Sequence, residues 1–465
     1  MLSRNLPASI QVIWVKYPRA PFHDAFLGNV APPSIYGFNL LAGVSEPQLL
    51  LRTSTAFSWG TKFEQWGAQH RSWVQCFHLP LPVLGGVLFH HYLARLGIDG
   101  LQPFLVSAVA AQKGVFAHPN ANGNLRLARA EYGYQFDASS FQQPFAASAA
   151  ETKVTVIPAE ISTVEKNGNG IAALHLSNGQ IVSADLYVDC TGPQAQLLSS
   201  LGSTSQGERR MCALSSLRPM NGPLGAPCRT LTAHSFGWQS DTPLQGATVR
   251  TTVFSPESES QALLAHGEAP AQSFEVTLGS HPQAWVDNCV AISHASSVLE
   301  PLTQAPMLIL QRHIETLAAL IPCSSNMAVE RREFNRKAAE DYTHAELFNR
   351  ALFETQLPSN APYWSAAGAE PLNEKLAQKL TQFESRGVLV AFDLEPFNPE
   401  DWIILHDGIG RRPARYDRVA DRTAETEIRQ YLANMRNEIE LLVKAIPKHD
   451  EYMKGLVRYL KQKEW

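Results

Sequence analysis

Between Val154 and Gly192 the chain reads VTVIPAEISTVEKNGNGIAALHLSNGQIVSADLYVDCTG. Short runs rich in β-branched residues are cut by Asn167-Gly168 and Asn178-Gly179, dipeptides that tolerate positive φ and so make strong hairpin turns. The segment therefore predicts a β-meander that delivers one buried strand, around Tyr187, to a Thr-Gly turn. A core strand of this kind needs layers to cover it, which the flanking sequence must supply.

Ile10 to Val15 (IQVIWV) reads as a second buried strand, and Pro32-Pro33-Ser34 opens a stretch to Leu51 with helical apolar spacing. Phe57 to Trp66 alternates aromatics in the manner of a sheet-lining segment. Residues 245–290 hold three further strand-like runs (ATVRTTVF, SFEVTLG, NCVAIS), and helices are expected from about Leu302. Thr423 to Ile446 forms an amphipathic helix with Ile428, Leu432, Met435, Ile439 and Leu442 on one stripe, ended by Pro447. Strands and helices mixed in this way indicate an α/β protein.

Composition narrows the function classes. At 465 residues, two to four structural units fit. The 39 Lys and Arg against 43 Asp and Glu give a net charge of −4, so there is no basic field for nucleic acid. Nine tryptophans with only 18% charged residues predict large buried aromatic surfaces. The six cysteines lack the spacing of zinc or redox sites, and reduced, mostly buried thiols are expected. No apolar run reaches membrane-spanning length and no secretory leader is visible, so a cytoplasmic protein with no membrane partner is expected.

The motifs PPSIYGFNLLAGV, AFSWGTKFEQW, YGYQFDASSF, ADLYVDCTGPQAQLL, FGWQSDTPL, AWVDNCVAISHASSVLEPL, EDYTHAELF and WIILHDGIGRRP occur in that order along nearly the whole chain. In order and spacing the sequence resembles the flavin-dependent tryptophan halogenases. The resemblance implies an α/β, FAD-binding two-dinucleotide fold of the flavin halogenase/monooxygenase type, with an inserted β-sheet substrate region and a helical C-terminal region. It divides the chain into a flavoprotein-like module over 1–345, interleaved with substrate-side segments at about 48–104 and 206–279, and a mostly helical part over 346–465.

Position by position, the resemblance also implies that the sites of chemistry have changed. The family opens with a strand, a G-x-G-x-x-G turn and a helix that seat the FAD pyrophosphate. No such turn occurs here, and Met1 to Leu6 corresponds to the end of that helix. Lys16 stands where an acid binds ribose hydroxyls, and Phe26-Leu27-Gly28-Asn29 stands for a Gly-Val-Gly-Glu loop along the flavin. Cofactor contacts are thereby reduced to Gly28, Thr191, Gly192 and Pro306. Ser58 takes the place of the catalytic lysine and Thr303 that of the catalytic glutamate; Lys62 reads as solvated or structural. Ala305 and Pro306 replace a Thr-Gly pair that binds halide through backbone N–H groups, and proline has no N–H. Trp238 and Pro243 are what remain of a W-x-W-x-I-P signature. Ser293-His294 replaces a Gly-Asp pair, with His294 expected to be structural.

On the substrate side His78 and Trp402 match pocket residues, Pro80 replaces an aromatic, and Phe397 and Pro399 replace polar groups that grip an amino acid. No metal site is implied. The expectation is a family member that has lost halogenation and serves as a binding or partner protein, for an aromatic small molecule, as a homodimer, or paired with an intact relative. The alternative is an active FAD-dependent oxygenase or halogenase with an incomplete N-terminus. Pairing of IQVIWV directly with ADLYVDC would favour the first; a slot one strand wide between them would favour the second.

Overall fold

The computed structural model describes residues 1–7, 9–16, 23–67, 69–77, 81–120, 123–207, 209–267, 273–322, 324 and 326–463. The largest sheet has seven strands, in the order Phe274–Thr277, Arg210–Pro219, Ala247–Phe254, Gly237–Leu244, Arg229–His234, Gly60–Trp66 and Arg71–Cys76. Neighbours are antiparallel except Arg229–His234 beside Gly60–Trp66, which run parallel with Arg229 opposite Thr61. Arg229–His234 alternates buried and half-buried residues, so its inward face carries Arg229, Leu231 and Ala233. The expected aromatic lining is present: Phe63 stacks on Trp73 at 4.6 Å, and the Trp66 indole N–H donates to Leu352 O at 2.8 Å.

A small sheet places Gly133–Gln135 between Val30–Ala31 and Ala56–Ser58. Glycine is required at 133, because a Cβ there would lie 2.1 Å from Ala31 O.

The expected meander forms Ile161–Asn167, Gly170–Leu176 and Ile181–Val182. Gly179 supplies positive φ to the second turn as predicted, whereas at the first turn the positive φ falls on Gly170 and not on Gly168. Tyr187–Asp189 pairs in parallel with Cys289–Ala291, and Ile13–Val15 pairs in parallel with Thr155–Ile157.

The expectation of a buried IQVIWV strand needs correction. Only Ile13–Val15 is strand, and all three residues are half-buried. The reason is a missing neighbour: Ile13–Val15 and Tyr187–Asp189 belong to different sheets, and neither pairs with the other among the described residues.

Helices dominate from Ala305 onward. Ala328–Ala351 is one 24-residue helix that runs across the 345/346 boundary. In Glu425–Ala445 the buried stripe is Ile428, Leu432, Met435, Ile439 and Val443. Val443 therefore replaces the expected Leu442, because four residues from Ile439 completes the turn more closely than three. Among the described residues no helix is long and apolar enough to cross a membrane. Cys76, Cys212, Cys228 and Cys289 are buried and Cys190 is exposed, while Cys323 lies outside the described residues.

Candidate functional site

Ser58 ends its strand fully buried, and its Oγ both donates to Gly60 O and accepts from Gly60 N–H at 3.1 Å. The neighbouring Phe57 ring stacks on Phe116 at 4.4 Å, and Trp59 donates its indole N–H to Val115 O at 3.1 Å. Two residues beyond Ser58 the chain enters the large sheet, where Thr61 faces Arg229.

Arg229 is 1% exposed, and its guanidinium donates to the carbonyls of Gly28 (2.5 Å), Pro301 (2.8 Å) and Leu302. Its Nε has no partner, and burial pulls its pKa down to about 9, so it stays a cation at neutral pH. This one side chain joins the Gly28 loop to the Leu299–Thr303 segment.

Gly28 has φ +82°, and a Cβ on it would meet Pro301 Cβ at 3.2 Å, Arg229 Nη1 at 3.3 Å and Thr303 O at 3.4 Å. Asn29 beside it is held through Nδ2 to Phe136 O at 3.1 Å. The structure thus brings Gly28 and Thr303 together, with Ser58 linked to them through Gly60, Thr61 and Arg229. Thr303 is buried, and its Oγ1 accepts from Ala305 N–H at 3.3 Å. Pro306 occupies the first turn of Ala305–Ala319, a position where proline is at home.

Glu300, inside the same segment, is 3% exposed and is gripped by Arg209, the Tyr363 hydroxyl and the Trp238 indole N–H, the last at 2.7 Å. Thr191 and Gly192 form the turn expected after Tyr187–Asp189. The Thr191 hydroxyl donates to Asp189 Oδ1 at 2.7 Å and accepts from Gln196 N–H at 2.7 Å, while Asp189 Oδ2 accepts from Leu197 and Leu198 N–H. Lys16 is exposed, with its ammonium 5.7 Å from the Trp14 ring. Lys62 pairs with Glu64. His294 lies in the turn Ser293–Ala295, where Ser293 N–H donates to the buried His313 at 3.2 Å. His78 and Pro80 lie outside the described residues.

The signature of the tryptophan halogenase family matches residues 1–425. The chain belongs to that family. It is 23% identical over 420 residues to the tryptophan 6-halogenase ThaL of Streptomyces albogriseolus, covering 83% of this chain and 78% of that protein. It is 22% identical over 478 residues to the 7-chloro-L-tryptophan 6-halogenase KtzR of Kutzneria sp. (strain 744), covering 92% of each. Among solved structures, BrvH, a flavin-dependent halogenase from Brevundimonas sp. BAL3, superposes with a TM-score of 0.86 at 26% identity, over 96% of this chain and 99% of that one. A flavin-dependent halogenase from Xanthomonas campestris gives a TM-score of 0.88 at 25% identity, over 98% and 94%. The α/β fold of flavin-dependent halogenases with a helical C-terminal region is therefore this chain's fold.

In this halogenase-family chain Trp402 is 3% exposed and its environment is filled from within. Its indole N–H donates to Glu395 Oε1 at 2.6 Å, the Lys379 ammonium lies 4.5 Å from its ring, and Lys379 pairs with Glu395 at 2.9 Å. Phe397 stacks on Phe348 at 4.0 Å, and a small cavity remains among Lys379, Val388, Val390, Phe397, Pro399 and Trp402. Burial lowers the Lys379 pKa against the opposing pull of Glu395.

Sequence reasoning missed Arg229, Lys379 and Glu395. Two of them carry a signal. Arg229 shares strand parity with Leu231 and Ala233, and Lys379 falls on the stripe of Leu376, Leu380 and Phe383.

Proposed function

We propose that this halogenase-family protein retains the family fold without flavin-driven halogenation and acts as a binding or partner protein. One observation carries the reading: the positions that correspond to the catalytic pair and the cofactor loop are packed shut with their polar groups satisfied internally. Ser58 and Thr303 are neutral hydroxyls engaged with backbone groups, and neither can supply an ammonium or a carboxylate. At the halide position, Ala305 N–H is taken by Thr303 and Pro306 has no N–H.

The residues present do not fit FAD. The Thr191 hydroxyl, at the turn where the resemblance places a flavin contact, is spent within its own turn. Gly28 lies within a few ångströms of Pro301 and Thr303, leaving no layer for a flavin ring between the two segments.

A second reading, an active FAD-dependent oxygenase or halogenase, is favoured by one observation: among the described residues Ile13–Val15 and Tyr187–Asp189 are each an edge strand, and they do not pair with each other. A dinucleotide sheet of order 3-2-1-4-5 would set one more parallel strand there.

Titration of the purified chain with FAD, read by flavin fluorescence quenching and by visible absorption retained after gel filtration, separates the two readings. No saturable binding is expected. Binding at micromolar or tighter concentration would overturn the first reading and call for assays with reductase, halide and aromatic substrates.

A further inference from the structure

We propose that Arg229 is a built-in replacement for a bound group: its guanidinium fills the space between the Gly28 loop and the Leu299–Thr303 segment and holds the two in contact. This rests on the reading that no flavin occupies that space. A guanidinium buried to 1% exposure without a carboxylate partner among the described residues is unusual, because an isolated buried charge is costly. Here three carbonyl oxygens from two separate segments take up its donors.

Those carbonyls belong to residues that ladder or helix bonding leaves free. Gly28 sits in a left-handed turn, and Pro301 and Leu302 precede the helix Ala305–Ala319. Without the guanidinium they would be buried and unpaired. The partners of the guanidinium are thus three backbone acceptors, with no donor among them. They suit a planar cation and repel an anion, so the site is not a displaced halide pocket. The backbone of Arg229 is fixed by its pairing with Thr61, which sets the direction from which the side chain enters.

The test uses the full chain with Arg229→Ala, and amide hydrogen exchange read separately over residues 26–30, 299–305 and the sheet strand 247–254. Exchange in the first two segments should quicken about tenfold while 247–254 stays within about twofold of wild type. Ethylguanidinium at millimolar concentration should restore protection, and urea at the same concentration, flat but uncharged, should not. Unchanged exchange in R229A, or rescue by neither or both compounds, would overturn the proposal. If R229A does not fold, R229K is read in its place; it keeps the charge without the fork, and wild-type protection in both loops would refute the clamp. Flavin binding to the wild-type chain would defeat the functional reading, whereas the exchange result alone decides whether Arg229 holds the loops.

Discussion

Two of the motifs that tie this chain to its family owe their residues to packing. Glu300 of Leu-Glu-Pro-Leu and Trp238 of the half-kept tryptophan signature meet in one buried hydrogen bond, with Arg209 and Tyr363 closing the shell. Removing the carboxylate leaves the nearly buried Arg209 guanidinium with only the longer pairing to Glu370, at 3.5 Å, and strands two donors, so Glu300→Ala should cost about 3–5 kcal/mol in urea denaturation. Trp238→Phe should cost about 1.5–3 kcal/mol, since it removes one hydrogen bond to a charged acceptor. Equal losses below about 0.5 kcal/mol would show that the shell is not cooperative. Ser58 and Thr303 behave differently: both are small, buried and satisfied by backbone groups. Ser58→Lys should overpack this fully buried position by about 1–3 kcal/mol and, on the proposed function, yield no halogenated product by mass spectrometry. The flanking motifs are what singled out these two positions in the sequence. Arg229 was less legible, although strand parity placed it among apolar neighbours.

Helices and strands with clean periodicity could be read directly from the chain: the meander, the aromatic segment Gly60–Trp66 and the helix Glu425–Ala445 all lie where alternation or 3.6-residue spacing put them. The stretch between Glu374–Arg386 and Pro399–Gly408 could not be read in this way. It has no period, and Glu395 within it looks like a solvated loop acid, yet its side chain is 5% exposed against Lys379 at 3%. Only the tertiary packing of Trp402, Phe397 and Phe348 creates that environment. Just before Glu395, Leu394 adopts φ +60°, a conformation that a leucine holds only when its surroundings impose it. The segment is therefore a strap whose buried ion pair lies against the indole of Trp402, with His344 and Lys379 also bonded to its carbonyls at Asp393 and Val390. Glu395→Gln leaves Lys379 buried without a counter-charge and should free the strap. Limited proteolysis should cut within residues 387–398 before any other site, with a stability loss of about 3–5 kcal/mol. An unchanged cleavage pattern would mean that apolar contacts alone hold the strap.

Across the whole molecule, buried ionisable groups set opposing responses to pH. Burial raises Asp341 to about 6, and Glu346 and Asp401 to about 7. Burial also lowers His90, His313 and His449 to about 4, and His406 well below its ordinary value. Between about pH 4 and 6.5 the folded state holds protons on three carboxyls that the unfolded chain has released, which favours folding as pH falls. Over the same range the unfolded chain binds protons at four imidazoles that the fold keeps neutral, and this opposes folding more strongly. Stability should therefore decline on acidification below about pH 6. Above about pH 7.5 the imidazoles are largely neutral in both states, and of the carboxyls named Glu346 and Asp401 differ the longest. Their folded forms cling to protons that the unfolded chain has lost, so stability also declines as pH rises through about 7. A maximum between about pH 6 and 7.5 in the melting temperature follows, and a curve still climbing at pH 8 would contradict it. Asp401 gives the sharper version, because its carboxyl is buried at the start of Pro399–Gly408 and, among the described residues, accepts the Asn398 N–H at 2.8 Å. An asparagine oxygen can accept the same bond without ever ionising. Asp401→Asn should match or fall slightly below wild type at pH 5.5 and exceed it by at least about 1 kcal/mol at pH 8, flattening the alkaline side of the profile.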